Sequence, residues 1–191
     1  MTQTPLTLRR WKRVEYERLV DLGAFDREPI ELIGGHLIVA EPKGSRHATA
    51  VDAADETLRA VLPPGWVVRN QNPVALDEES EPEPDLAVVP GARGDYRQQH
   101  PSRAALVVEV AESSLAFDRT QKGSLYARAG VAEYWIVNLM DDVLEVYRTP
   151  APDPAAPYGW AYAEREALPQ TATIAPLAIP SAPVRVARLF C

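Results

Sequence analysis

Ala105-Leu106-Val107-Val108-Glu109-Val110-Ala111 reads as a short strand with a carboxylate inside it. The run is too short for a helix and rich in valine, so it reads as a central strand buried on both faces. An isolated carboxylate there is expensive to bury, so Glu109 has to be paired, protonated or metal-bound. Upstream, Glu81-Pro82-Glu83-Pro84-Asp85-Leu86-Ala87-Val88-Val89 supplies a second apolar strand, with Asp85 at its opening, on the rim of a sheet. Downstream, Asp118-Arg119-Thr120-Gln121-Lys122-Gly123-Ser124-Leu125-Tyr126 has the spacing of a capping box and opens a helix ending near Gly130. Two carboxylates on neighbouring strands can hold a hard divalent cation, and an ammonium beside them can steer a hydroxide or a phosphate. That combination suits phosphodiester hydrolysis.

Each of these residues also has a plainer reading. Glu109 could face an edge or pair with an arginine, and a lone Pro-Asp is by default a turn. Lys122 shares a helical face with Leu125, Tyr126 and Ala129, so its stem points toward the core side, yet a lysine at a helix start could simply snorkel. A cation in the first turn is disfavoured by the helix dipole, and an anion nearby would explain it. Glu31 and His47 are softer candidates, the first in a hairpin and the second at a helix start. No Cys/His cluster, glycine-rich phosphate loop or nucleophile elbow is present.

Around these segments the chain reads as mixed α/β. Trp11–Leu22 has helical apolar spacing with Gly23 as its stop. Ile30–Ile33 and His36–Ala40, joined by Gly34-Gly35, read as a β-hairpin. Ser45 is the expected cap of a helix reaching about Leu62 and stopped by Pro63-Pro64-Gly65. Trp66–Arg69 and Pro73–Leu76 read as short strands. Tyr134–Asn138 and Val143–Tyr147 read as a strand pair turning at Asp141-Asp142. Thr149–Pro157, with its four prolines, reads as an exposed loop, followed by weak strand signals over Tyr158–Glu166 and Val184–Ala187. One domain over residues 1–191 is expected, with a core from about 30 to 148 and a β-rich extension over 149–191.

The composition fits an ordinary globular protein, 46% apolar and 25% charged. The net charge of −7 argues against a general nucleic-acid coat protein. It leaves room for a metal-dependent nuclease, whose bound cations offset acidic ligands. Residues 77–85 carry six carboxylates in nine positions and, Asp85 apart, read as a solvated loop held extended by its prolines. No run approaches the ~20 apolar residues of a membrane span. Met1–Val20 is too charged for a signal-peptide core, and the single cysteine, Cys191, has no internal partner. A cytoplasmic location and no membrane partner are therefore expected.

Taken together, Ile30-Glu31-Leu32-Ile33-Gly34-Gly35, Pro84-Asp85-Leu86-Ala87-Val88, Val107–Ser114, Asp118–Lys122 and Tyr126–Val137 resemble the Uma-two family, restriction-endonuclease-like proteins of the PD-(D/E)xK type. The resemblance covers roughly residues 8–190. It implies a restriction-endonuclease-like core, with a mixed central sheet flanked by helices behind an N-terminal helix and a β-hairpin. It also implies a divalent-metal nuclease site, with Asp85 and Glu109 as its acids and Lys122 as its lysine. The function read from these residues is a DNA endonuclease using Mg2+ or Mn2+, with Asp85 and Glu109 binding the metal, Lys122 as the catalytic lysine, Glu31 a candidate to complete the metal shell and His47 a candidate contact for phosphate. The chain departs from the (D/E)xK spacing, because Ala111 stands where the lysine belongs; Lys122 on the next helix fits a pattern in which the lysine has moved. DNA is the expected partner, and a homodimer the candidate assembly. Two rivals are an inactive binding module on the same fold and a hydrolase of small phosphate esters.

Overall fold

The computed structural model describes residues 8–40 and 43–191, so the Met1–Val20 leader reading falls in part outside the described residues. In chain order, α1 (Arg13–Asp21) leads to β1 (Ile30–Ile33), β2 (His36–Val39), α2 (Ser45–Val61), β3 (Trp66–Asn70), β4 (Leu86–Pro90) and β5 (Leu106–Ala111). A continuous helical run follows: α3 (Leu115–Phe117), a π segment (Asp118–Lys122) and α4 (Gly123–Arg128). Then come β6 (Glu133–Asn138), β7 (Val143–Pro152), β8 (Trp160–Pro169), β9 (Thr173–Ile174), β10 (Val184–Arg185) and a 3₁₀ turn at Val186–Leu189. Strands β3 to β8 form one six-stranded sheet in sequence order. Only β5 and β6 run parallel in it, joined by the helical run, while every other neighbouring pair is antiparallel. This is the mixed α/β core with N-terminal helix and hairpin that the residues predict.

Alternation along β4, β5 and β6 sends side chains into two different layers. Val88, Val108, Val110 and Trp135 join a cluster with Ala50, Val51, Ala54 and Leu58 of α2 and with Val184, Val186 and Leu189. Ala87, Val107, Ala111, Tyr134 and Ile136 pack on the other face with Tyr126 of α4. Coverage on both sides explains why these strands read as unbroken apolar runs. Each fully buried Val or Leu contributes roughly 1.5–3 kcal/mol to holding the layers together. Among the described residues, no helix is long and apolar enough to cross a membrane.

The hairpin turn needs both its glycines. Gly34 and Gly35 have φ of +55° and +80°, and a Cβ on Gly34 would sit 2.4 Å from Cε1 of Tyr158. The hairpin docks on the segment before β4, where Glu81 donates its N–H to the Leu32 carbonyl (2.7 Å) and Gly35 donates to that of Glu79 (2.7 Å). That docking carries Glu31 to the sheet.

Several local readings are corrected by tertiary contacts. Residues 77–85 are not a solvated loop: Ser80, Glu81, Pro82, Pro84 and Asp85 are buried because the hairpin and α1 cover them, Arg13 donating its N–H to the Glu78 carbonyl. Pro73–Leu76 forms no strand, since Val74, Ala75 and Leu76 donate to the carbonyls of Pro82, Pro101 and Ser80 rather than to a ladder. Helix α1 begins at Arg13 and buries only Tyr16, leaving Val14 and Val20 exposed. Gly44, not Ser45, occupies the N-cap of α2. Thr149–Pro157 is not all loop. β7 runs on to Pro152, with Pro150 opposite Tyr162 and Pro152 opposite Trp160. Its pairing with β6 ends at Arg148, so these prolines lie where the strand has one neighbour, a position at which proline is tolerated.

Candidate active site

Asp85 and Glu109 interlock across the β4–β5 pair. The Asp85 N–H donates to Glu109 Oε2 (3.3 Å), and the Val110 N–H donates to Asp85 Oδ2 (2.8 Å). His47, in the first turn of α2, brings Nε2 to 3.2 Å from Asp85 Oδ2, and Lys43 donates to Oδ1 at 2.7 Å. Burial alone would raise the proton affinity of Asp85, but the His47 hydrogen bond and the Lys43 ammonium hold it well below the usual carboxylate range. The other ring nitrogen of His47, Nδ1, is buried with no partner among the described residues.

Glu109 is 3% exposed, and its Oε1 accepts from Lys122 Nζ (3.0 Å) and from the Tyr126 hydroxyl (2.7 Å). Burial raises its proton affinity; Lys122 opposes that, while Asp118, Asp85 and Glu31 add to it. Burial by itself would also discharge Lys122, yet Glu109, Glu31 and Asp118 outweigh it and keep the ammonium charged. Glu31 Oε2 lies 3.5 Å from Lys122 Nζ and accepts the Glu83 N–H at 3.0 Å. Asp118, one turn before Lys122, accepts from the Ser114 hydroxyl (2.5 Å), and burial lifts it to about 6 against the pull of Lys122.

All five sequence-predicted residues therefore lie in one neighbourhood, though not all in the local setting expected. Lys122 is not in a first turn: the helix starts at Leu115, Ser114 is its N-cap, and Asp118 is not a cap. Hence the dipole argument against a cation there does not apply. The π segment carries both Asp118 and Lys122 buried, and insertions of this kind recur at functional sites. Sequence reasoning missed Lys43, Asp118 and Tyr126. Tyr126 had a signal, since it sits four residues after Lys122 on the same helical face. Asp118 was hidden by its resemblance to a cap, and Lys43 lies in a loop with no periodicity.

Glu109, Glu31 and Asp118 thus act on the Lys122 ammonium, Asp85 presses in turn on Glu109 and Asp118, and Lys43 and His47 sit beside Asp85. Among the described residues, no group of three or more His, Cys, Asp or Glu side chains could by itself hold a metal ion. Asp85 and Glu109 still offer hard oxygen donors. One or two carboxylates completed by waters and a substrate phosphate are the usual protein share of a magnesium site. The donor set fits magnesium or manganese on that footing.

The family model described as "Putative restriction endonuclease", Uma2, matches residues 13–186. No curated protein matches the chain. Among solved structures, that of a putative nuclease from Anabaena variabilis ATCC 29413 superposes with a TM-score of 0.63 at 15% identity, covering 84% of this chain and 89% of that one. At that identity the likeness speaks for the fold.

Proposed function

From the premise that this chain belongs to the Uma2 family of putative restriction endonucleases, we propose that it is a divalent-cation-dependent endonuclease hydrolysing phosphodiester bonds of DNA. The observation that carries the reading is the excess of buried acid around one charged lysine. Asp85 and Glu109 would hold magnesium or manganese, with Glu31 behind them, and the cation would supply charge neutralisation and an acidified water. Lys122 is kept protonated by Glu109 and Glu31, so its ammonium faces the reacting phosphate as a fixed positive charge and as a donor to the attacking water. Val110 N–H, Lys43 and His47 hold Asp85 ionised and pinned. Tyr126 donates to Glu109 Oε1, the oxygen not taken by the Asp85 N–H, and Asp118 adds negative charge that helps keep Lys122 protonated. His47 serves Asp85 first in this scheme, and its contact with phosphate comes second.

Incubation of the purified protein with supercoiled plasmid and millimolar Mg2+ or Mn2+ tests the proposal. Nicking that chelation abolishes, and that Asp85→Asn and Lys122→Ala both lose, is the expected result. No cleavage of plasmid or single-stranded DNA with either cation would move the weight to a binding module on the same fold, the reading that the net charge of −7 favours.

A further inference from the structure

The partners of Asp85 differ in how firmly the fold holds them. Its Oδ2 takes the Val110 N–H at 2.8 Å and lies 3.2 Å from His47 Nε2. The first belongs to the backbone of β5 and the second to a buried ring on α2. Among the described residues, Oδ1 takes only Lys43 Nζ, at 2.7 Å. Lys43 stands in the segment leading into α2, and its side chain is 39% exposed. It is therefore the one partner that can swing into solvent without opening the sheet or moving the helix.

The kind of cation matters as much as its exposure. Only three of the twenty Lys and Arg residues are lysines, Lys12, Lys43 and Lys122, and two of the three sit on the acids of this site. The buried carboxylates on β6 and β7 are held by arginine instead, Glu133 by Arg148 and Glu145 by Arg119 and Arg165. A guanidinium grips through a rigid planar fork, whereas an ammonium is a compact point charge on a flexible stem. On Oδ1 an ammonium thus stands where a small cation would, and nothing but its own stem retains it. Lys122 is different. Its side chain is 9% exposed, and Glu109, Glu31 and Asp118 all act on it. The Lys43 charge reaches only one further acid, the half-buried Glu83, toward which it can turn on leaving Asp85.

We propose that Lys43 is a place-holder for the divalent cation, occupying Asp85 Oδ1 in the metal-free protein and leaving that oxygen when Mg2+ or Mn2+ arrives. The inference rests on the cation reading of the site and deepens it, by naming the group that must leave. A dication replaces a monocation beside two carboxylates short of positive charge, so the exchange is electrostatically downhill. The place-holder keeps Asp85 ionised and oriented while no metal is bound. It also competes with the metal, so the site fills at a higher metal concentration than it would with Oδ1 free.

Titration of the full chain with Mn2+, free Mn2+ being read by electron paramagnetic resonance with no nucleic acid present, tests the exchange. Lys43→Met keeps the stem and removes the competitor, so it should bind Mn2+ about tenfold or more tighter than the wild type. Lys43→Arg keeps the charge and strengthens the hold on the carboxylate, so it should bind more weakly than the wild type. Arg46→Met removes a neighbouring exposed charge that pairs with Glu112 and Asp142 rather than with Asp85, and should stay within about threefold. Should Lys43→Met fail to fold, nitrogen-15 spectra of the wild-type lysine side chains decide the matter. The Lys43 signal should move as millimolar Mg2+ is added, while that of Lys12, paired with Glu79, stays. Lys43→Met binding no tighter than the wild type, an equal gain in Arg46→Met, or an unmoved Lys43 signal overturns the place-holder. A gain in Lys43→Met with no cleavage of any nucleic acid leaves the place-holder standing and removes the nuclease reading. Metal-dependent nicking by the wild type, with no gain in Lys43→Met, does the reverse.

Discussion

Glu109 on β5 and Glu145 on β7 lie in one row across the sheet, with Ile136 of β6 between them, and they have opposite electrostatic fates. Both are buried, at 3% and 1% exposure, and both receive a cation from the same helical run, Lys122 in one case and Arg119 in the other. Glu145 is saturated. Arg119 Nε reaches both its oxygens at 3.1 Å, Arg165 donates at 2.8 Å, Tyr147 at 2.6 Å and Asn138 at 2.8 Å. Burial opposes its ionisation, but these donors bring it down to about 2. Glu109 has one ammonium, one phenol and one long backbone contact, and three further acids press on it. The difference separates anchoring from function. A buried carboxylate with a full set of donors holds strands to a helix, while one kept short of positive charge has capacity left for a cation to arrive.

The comparison is broken most easily at the two cations. Lys122→Ala should lower the cleavage rate by about 10³-fold, roughly 4 kcal/mol of transition-state stabilisation, and should also lower the unfolding midpoint, because Glu109 and Glu31 lose their buried ammonium. Arg119→Ala should also lower the melting temperature, while the rate per folded molecule stays within about tenfold. Equal losses of rate in the two variants, measured on the same plasmid, would dissolve the distinction.

The carboxylates themselves come next. Glu145→Ala strands two guanidinium groups and should cost ~3–5 kcal/mol in urea unfolding. Glu109→Gln imitates the protonated form that its surroundings favour, so its cost should stay within about 1 kcal/mol, or it should stabilise. A larger loss for Glu109→Gln than for Glu145→Ala would mean that Glu109 is the anchor.

Metal and pH sharpen the contrast further. Millimolar Mn2+ should raise the melting temperature of the wild type, by up to ~2.7 kcal/mol of added stability at a hundredfold excess over Kd, and Asp85→Asn should lose that response. As for protons, Asp118 and Glu109 have folded proton affinities raised above their unfolded values. The folded state then holds more protons, so their contribution is fully present below pH ~4 and is lost as pH rises, for Asp118 through about 6. Glu145, depressed to about 2, contributes above its unfolded value and loses that contribution as pH falls through about 2. Urea unfolding at a series of pH values should show stability falling between about pH 4 and 7 without metal, and Asp118→Asn should flatten that slope. A slope unchanged in Asp118→Asn would remove Asp118 from the cluster.

Much of this arrangement was legible in the residues. The valine-rich runs at 86–89 and 105–111 specified central strands, because only a strand covered on both faces tolerates unbroken apolar sequence. Gly34-Gly35 specified the hairpin through its positive φ values. A glutamate within the second run announced a charged site, because leaving it unpaired is so costly. The rest depended on partners far away in sequence. Asp85 is pinned by Val110, 25 residues on, and Asp77 by Arg128, 51 residues on. Hence residues 77–85, so acidic that they look solvated, are largely buried. Ser114 displaced the apparent cap at Asp118 because the chain leaving β5 is already positioned to start the helix one turn early. Local pattern in the sequence was enough to place the central strands, the hairpin and the main helices, and to offer an acid-acid-lysine set, since periodicity and composition are local properties. Only the tertiary structure decided which carboxylate is satisfied and which is left short, because that balance is set by how many donors the folded sheet and helix bring within hydrogen-bond reach of each.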